Sequence, residues 1–328
     1  MSLEARYARQ IVLPEVGASG QARLAAARVL VVGAGGLGCP VLQYLTAAGV
    51  GALRIIDPDR VDESNLHRQP LYRMSDLGAL KVVAARTALL ALNPTTTIEA
   101  FAAKLTPANV SRCLEHADLV IDAADSFAVT YILSDTCLAA RIPLISASVL
   151  GWSGYAGVFC GTAPSYRAVF PELPERAGSC ALNGVLGSAV GVLGTLQAQL
   201  ALSLLLAITP SVAGHLVTVE LRRLHFGGFS FMGASEPSSL WSRFIDVSAL
   251  DEQDIVVDLR DVAEAPVSVS EWAIRRSTES LLQATADPQL PPERRIVLCC
   301  RSGLRAWRAA RALARQGYEN LALVALGP

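Results

Sequence analysis

Residues 27–81 constrain the fold of this chain more than any other stretch. An apolar run at 29–32 enters a turn holding Gly33, Gly35, Gly36 and Gly38; a helical stretch continues to Ala48, and a second apolar run at 53–56 ends on Asp57. Strand, glycine turn, helix and strand in that order make a βαβ nucleotide-binding unit. Its glycines let the backbone approach phosphate, and the helix N-terminus directs free N–H groups at it. Asp57 follows Gly38 by 19 positions, where a ribose-binding acid belongs. Alone, this pattern points to NAD. The polar cluster that follows changes the reading: Asp59, Ser64, Asn65, Arg68 and Gln69, then Lys81. Two cations and an amide beside a phosphate turn serve no purpose for NAD, whereas a triphosphate such as that of ATP needs them.

The chain has 328 residues, enough for one large or two ordinary domains. Hydrophobic residues make up 52% and charged residues 17%, which supports a large core and argues against disorder. A net charge of −1 argues against a nucleic-acid-coating surface. The N-terminus shows no secretory pattern. Seven unevenly spaced cysteines do not form a disulfide framework, so a reducing cytoplasm is the expected location. Residues 185–208 carry no charge and are long enough to span a bilayer. They also hold Ser188, Thr195, Gln197, Gln199, Ser203 and three glycines, without a basic flank, so a buried helix is expected and no membrane partner.

Residues 6–28 read as a helical segment broken at Pro14 and Gly17. Strand-like runs at 29–32, 53–56, 97–101, 119–122 and 144–146 alternate with helical stretches such as 81–92 and 126–140. This alternation predicts an α/β fold, a Rossmann-like, mostly parallel sheet with helices on both faces. Runs at 155–159 and 216–219 extend the sheet. The Gly/Ser/Pro-rich stretch 227–239 reads as a linker between a first domain, 1–226, and a second, 240–328. The second repeats a smaller α/β pattern, with strands at 255–259, 296–299 and 321–324 and a helix near 304–316.

An ordered set of motifs accompanies this pattern: R-Y-A-R-Q at 6–10, the glycine turn, D-P-D at 57–59, S-N-L-H-R-Q at 64–69, G-x-x-K at 78–81, D-A-A-D at 122–125, and an apolar run after Cys180. Together they resemble the MoeB/ThiF sulfur-carrier adenylyltransferases, relatives of the ubiquitin-activating enzymes, over roughly 6–224. The resemblance implies ATP-dependent adenylation of the C-terminal glycine carboxylate of a small ubiquitin-like sulfur-carrier protein. It assigns Gly33, Gly35 and Gly36 to the phosphate turn, Asp57 to the ribose, and Asn65, Arg68 and Lys81 to the phosphates. Asp59, Ser64 and Ser126 complete the nucleotide set, although Asp59 and Ser64 also suit plain turns, and Ser126 stands where the family often has Asn. Asp125 is assigned to Mg²⁺, a hard ion that prefers oxygen ligands, and it equally suits a helix N-cap. Arg9 matches an arginine that reaches into the partner subunit's site, implying a homodimer; read alone, Arg9 and Arg68 are ordinary surface cations. Cys180 matches the loop cysteine that some members use to take the acyl group or to form a persulfide-derived link with the carrier. Many members carry two C-x-x-C pairs that bind structural zinc. Here the first pair would fall near Ser165 and Ala168 and the second after Leu224, and neither exists. No zinc site is expected, and something else must stabilise that crossover.

C-R-S-G-L-R at 300–305 and D-L-R-D at 258–261 resemble rhodanese-like sulfurtransferases, over about the last 85 residues. No clear H-x-P-G-A segment accompanies them. Cys300 opens a turn into a helix N-terminus beside Arg301 and Arg305, a setting that stabilises a thiolate or persulfide anion. Cys299 is expected to face the core on the opposite side of the strand. Cys39, Cys113, Cys137 and Cys160 read as ordinary buried cysteines. A cysteine desulfurase or thiosulfate would supply the sulfur. Three alternatives stay open: an adenylating ligase acting on a peptide or tRNA-linked group, an NAD-dependent oxidoreductase, and a non-catalytic scaffold.

Overall fold

Two sheets, one mixed and one wholly parallel, are built from separate halves of the chain and share one apolar core. The computed structural model describes residues 3–173, 184–237, 242–283 and 289–327. The first sheet has eight strands in the order β3-β2-β1-β4-β5-β6-β7-β8. Its strands are β1 (Arg28–Val32), β2 (Ala52–Ile56), β3 (Thr97–Phe101), β4 (Leu119–Asp122), β5 (Pro143–Leu150), β6 (Ser153–Cys160), β7 (His215–Glu220) and β8 (His225–Ser230). The first five pair in parallel and the last three are added antiparallel. The chain winds outward from β1 through β2 to β3, then returns to lay β4 on the other side of β1. That reversal opens a crevice at the carboxyl ends of β1 and β4, the usual ligand position in such sheets.

The strands expected at 29–32, 53–56, 97–101 and 119–122 are present to within a residue. Their near-continuous burial, with every residue of β4 and all of β1 but Arg28 buried, is what helices on both faces demand. Three helices flank the crevice: α3 (Gly38–Ala48), α4 (Lys81–Leu92) and α6 (Phe127–Ala140). The N-terminal segment forms α1 (Leu3–Ile11) and α2 (Gly17–Ala26). The uncharged stretch forms the helix Gly187–Leu205, the one described helix long and apolar enough to cross a membrane. It packs as a core helix: Ala189, Leu193 and Ala201 are fully buried, and Gln197 donates to the Asp122 carbonyl at 2.7 Å.

The expected linker at 227–239 requires correction. Residues 225–230 form β8, paired along its whole length with β7, from His215↔Ser230 to Glu220↔His225. Ladder hydrogen bonds need only backbone, and β7 otherwise presents an open edge, so a Gly-rich stretch pairs despite its loop-like composition. Phe231 then stacks on Phe159, with ring centroids 5.0 Å apart.

The second sheet is wholly parallel, in the order β11-β10-β12-β13-β9. Its strands are β9 (Ser242–Phe244), β10 (Ile255–Asp258), β11 (Ile274–Arg275), β12 (Ile296–Cys300) and β13 (Leu321–Ala325), covered on one face by the helix Leu304–Arg315. The two short edge strands, β9 and β11, were not expected from sequence. The helix sets Trp307 against Tyr131 of α6, ring centroids 5.2 Å apart, and one apolar cluster runs from Leu30 and Val120 through Tyr131 and Trp307 to Leu298.

Candidate active site

The glycine turn between β1 and α3 is shaped by two close approaches. Gly33 has φ +99°, and a side chain there would meet the Ala123 carbonyl oxygen at 2.5 Å; one at Gly38 would meet the Gly33 oxygen at 2.1 Å. No other residue type fits either place. The N-terminus of α3 carries no side-chain cap and no acidic residue in its first turn. The Cys39 N–H donates to the Gly35 carbonyl at 2.9 Å, while the N–H groups of Gly35, Gly36, Leu37 and Gly38 have no acceptor among the described residues and are left for a ligand. The Tyr72 hydroxyl donates to the Ala34 carbonyl at 2.6 Å and braces the turn.

Asp57 stands at the end of β2. One carboxylate oxygen accepts from the Ala34 N–H at 2.7 Å and the other from the Asp59 N–H at 2.8 Å. Burial pushes its carboxyl above the usual carboxylate range, and these two N–H donors oppose the shift. Asp57 therefore ties the two strand-end turns together and presents a carboxylate at the mouth of the crevice.

The S-N-L-H-R-Q segment folds as a short turn helix, Glu63–Asn65. Asp62 caps it through the Ser64 N–H at 2.9 Å, and the Ser64 carbonyl accepts from Arg68 at 3.2 Å. Ser64 thus has a turn role in this structure. The Asn65 Oδ1 accepts from Arg68 Nη2 at 2.8 Å and from Gln69 Nε2 at 3.2 Å. Two donors on one oxygen fix the amide, whose N–H₂ donates to the Ser64 hydroxyl at 3.3 Å. Gln69 is 3% exposed, and its buried Oε1 has no hydrogen-bond partner among the described residues. Lys81 begins α4, is 5% exposed, and places its ammonium 2.8 Å from Asp59, whose side chain is 62% exposed. This ion pair was not visible in the sequence, because nothing in the spacing signals it.

Across the crevice, Asp122 and Asp125 divide sharply. Asp122 is buried and accepts from Thr130 at 2.7 Å, Ser146 at 2.8 Å and the Ala124 N–H at 3.2 Å. Burial pushes its carboxyl up to about 6. Asp122 is a buried strut that holds the end of β4. Asp125 is exposed and accepts no hydrogen bond among the described residues. The N-cap of α6 is Ser126, without a side-chain cap bond, so Asp125 is left for a ligand.

Arg9 is exposed and lies far from the site of its own chain. Its neighbours on α1 hold the other ends of α3 and α4: Gln10 donates to Ala48 at 3.1 Å, and Asn93 donates to the Tyr7 hydroxyl at 2.8 Å. Along α3 that separation is about 16 Å. Cys39, just past the turn, is buried, and burial pushes its thiol up to about 12.

In the second sheet, Cys300 ends β12 and its side chain is buried. Its Sγ accepts from the N–H groups of Gly303 at 3.2 Å and Ala306 at 3.4 Å, at the uncapped start of the helix Leu304–Arg315. Cys299 points to the opposite face, among Val256, Val297 and Val324, with its thiol pushed up to about 12 by burial. Arg305 donates to the Leu259 carbonyl at 3.0 Å and pairs with Glu264 at 2.5 Å. A cleft of about 470 Å³ beside it is lined by Arg260, Arg275, Arg276 and Arg305. Cys180 lies outside the described residues.

Fold and site together define an α/β nucleotide-binding protein that assembles cations, an oriented amide and free helix N–H groups at a topological switch point. Residues 7–242 match the model of the ThiF family, and the chain belongs to that family. It is 44% identical over 259 residues to the adenylyltransferase and sulfurtransferase MOCS3 of Bos taurus, covering 78% of this chain and 55% of that protein. Sulfur carrier protein adenylyltransferase of Thermus thermophilus is 43% identical over 229 residues, 67% of this chain and 84% of that one. The probable adenylyltransferase/sulfurtransferase MoeZ of Mycobacterium tuberculosis is 31% identical over 352 aligned positions, 96% of this chain and 89% of its own. The chain thus spans about half the length of the bovine relative and nearly all of the mycobacterial one. Among solved structures, MccB of E. coli shares the fold with a TM-score of 0.63 and 22% identity, over 72% of this chain and 71% of that one.

Proposed function

We propose that this chain is an ATP-dependent adenylyltransferase that activates the C-terminal glycine carboxylate of a small ubiquitin-like sulfur-carrier protein, and that its second half supplies sulfur to the activated carboxyl. The observation that carries the reading is the placement of Arg68 and Gln69 against the glycine turn, where a side chain at Gly36 would meet Arg68 Cγ at 3.6 Å and one at Gly35 would meet Gln69 Nε2 at 3.5 Å, with Asn65 bound to both and the Lys81 charge acting on Asp57. In the reaction, a carboxylate oxygen of the carrier attacks the α-phosphorus of ATP. A C–O–P anhydride forms, and pyrophosphate leaves with the electron pair of the broken bond. Arg68 and Lys81 neutralise charge that moves onto the leaving phosphates, the N–H groups of the glycine turn leading into α3 hold the α-phosphate, and Asp57 orients the ribose. Asn65, Arg68 and Lys81 are already held by hydrogen bonds to their protein neighbours, which supports a site that needs little reorganisation at the transition state.

Asp125 suits Mg²⁺: an exposed carboxylate three positions past the end of β4, without a hydrogen-bond partner among the described residues, supplies one hard oxygen and leaves room for phosphate oxygens. When bound, the ion would screen the phosphates during attack. Arg9 cannot serve its own chain across the length of α3, which supports a homodimer in which it completes the partner's site. Cys300 is read as the carrier of a persulfide, its sulfur held by the Gly303 and Ala306 N–H groups, with the arginine-lined cleft admitting an anionic donor such as thiosulfate. The terminal sulfur attacks the acyl carbon and AMP leaves; a second thiolate then attacks the Cys300 sulfur of the acyl disulfide, forming a disulfide with Cys300 as the thiocarboxylate leaves with the electron pair of the broken S–S bond. Cys180 is the thiol that the sequence offers for that step. This assignment divides the chain functionally near residues 231–241.

Pyrophosphate exchange in the presence of ATP, Mg²⁺ and a sulfur-carrier protein tests the reading. Exchange that requires both ATP and an intact carrier C-terminus is expected. Calorimetric binding of NAD without binding of ATP would overturn it.

A further inference from the structure

The crossover between β6 and the second sheet is the place where zinc-bearing members of this family keep their metal, and the residues here do not fit one. Zinc needs four nitrogen or sulfur donors in a tetrahedron. The positions of the first cysteine pair hold Ser165 and Ala168, and among the described residues no group of three or more His, Cys, Asp or Glu is placed to bind a metal. The two stretches are nevertheless joined. Ser165, 1% exposed, donates its N–H to Glu236 Oε1 at 2.6 Å and its hydroxyl to Glu236 Oε2 at 2.6 Å. The same hydroxyl accepts from the Ala168 N–H at 3.2 Å, capping the short helix Tyr166–Val169. Glu236 comes from the stretch after Leu224, where the second cysteine pair would lie. One carboxylate, using both oxygens in charge-assisted hydrogen bonds, therefore connects the segments that the metal would connect. The stacked Phe159 and Phe231 rings close the same junction from the apolar side.

Between the two replaced positions stands Arg167, which is 6% exposed. It grips Asp135 with two hydrogen bonds, 2.6 and 3.0 Å. Its guanidinium carbon lies 4.6 Å from the Tyr131 ring centroid and 5.3 Å from that of Trp307. It also donates to the Ser242 carbonyl on β9 at 3.5 Å. Three residues past the helix, Glu172 pairs with Arg311. The first half thus touches both the edge strand and the covering helix of the second sheet through one short loop. Arg167 serves there as a buried cation paired with a carboxylate, a carbonyl and two aromatic faces, the condition under which such a charge is tolerated.

We infer that Glu236 and Ser165 form a metal-free clip in place of the family's zinc, and that the loop it holds is the docking point for the second sheet, with Arg167 as the contacting side chain. This goes beyond the proposed chemistry and does not depend on it. Thermal unfolding with and without EDTA, elemental analysis, and hydrogen exchange read out by mass spectrometry test it together. The wild-type protein should contain well below one zinc per chain and keep its Tm in EDTA. Ser165→Ala and Glu236→Ala should each lower Tm by roughly 3–6 °C, the scale for losing one or two charge-assisted bonds in a chain of this size. The double variant should fall by clearly less than the sum of the two, because Glu236→Ala already removes the acceptor of both the Ser165 hydroxyl and its N–H, whereas Ser165→Ala alone leaves the N–H bond in place. Ser165→Ala removes one oxygen only and keeps the test alive if Glu236→Ala does not fold. Exchange should rise in residues 304–315 as well as in 163–170, and Arg167→Ala should raise the first with little change in the second. Stoichiometric zinc with an EDTA-sensitive Tm, or additive losses in the double variant, would overturn the clip. A lowered Tm with unchanged exchange in residues 304–315 would overturn the docking role.

Discussion

Replacing Lys81 with methionine removes a charge and keeps most of a packed stem. Lys81 is 5% exposed, but the carboxylate it leaves behind, Asp59, is 62% exposed. Water takes over the lost partner, so the stability cost should be that of a surface pair, ~0–1 kcal/mol, and the Tm should move by no more than about 4 °C. The cost to chemistry is separate. A fixed cation aimed at charge that develops in the transition state contributes on the order of 10²–10³ in rate, roughly 2.7–4 kcal/mol. Pyrophosphate exchange and thermal melts on the same preparation read both quantities. The converse variant, Asp59→Asn, leaves the buried ammonium without its counter-charge. It should lower the Tm of the nucleotide-free protein, and ATP, whose phosphates supply the missing charge, should raise the Tm of this variant more than that of wild type. Lys81→Met exchanging pyrophosphate within a few-fold of wild type would refute the argument, as would an Asp59→Asn defect that ATP leaves unrepaired.

Other outcomes follow from the same geometry. Asp125→Ala should cut exchange by about 10²-fold or more with little change in Tm, since its carboxylate is exposed and unbonded. Mixing Arg9→Ala with Asp125→Ala subunits should restore part of the activity through one intact composite site per dimer; no recovery would mean that the arginine does not act across subunits. Asp122 has a folded-state pKa raised from 3.8 to about 6, so the folded state holds the proton more tightly than the unfolded one. Stability from this group should be greatest below about pH 4, fall by roughly 3 kcal/mol as pH rises to about 6, and stay flat above it. Asp122→Asn should remove that part of the pH dependence in denaturant titrations; an unchanged profile would contradict the assignment. Cys300→Ser should abolish sulfur transfer and leave pyrophosphate exchange intact, while Cys299→Ser, on the opposite face, should alter either activity by no more than a few-fold.

Much of the site was legible because it is built from short, contiguous segments. The glycine turn, Asp57, the Asn65–Arg68 turn and Lys81 lie in one contiguous stretch from the end of β1 to the start of α4, and each is placed by the element that immediately precedes or follows it. The alternation of Cys299 and Cys300 was legible for a similar reason, since a strand sends neighbouring side chains to opposite faces. The strand β8 was misread because composition was taken to decide what an available sheet edge decided. Ser64 and Asp122 were named in the sequence, but only packing revealed that one serves a local turn and the other a buried hydrogen-bond network.

The sequence by itself determined the local chemistry: where the backbone turns, which face of each element is apolar, and which polar groups cluster at the end of a strand. These depend on steric limits and on periods of two and 3.6 residues, which act over a few neighbours. Only the tertiary structure decided which distant groups meet. Lys81 finds Asp59 across 22 positions, Ser165 finds Glu236 across 71, and Gln197 reaches the Asp122 carbonyl across 75. It also decided that Arg9 is remote from its own site and that Trp307 closes over Arg167. Such pairings are set by how whole layers stack and how burial forces each polar group to find a partner, and neither is written in any single stretch of chain.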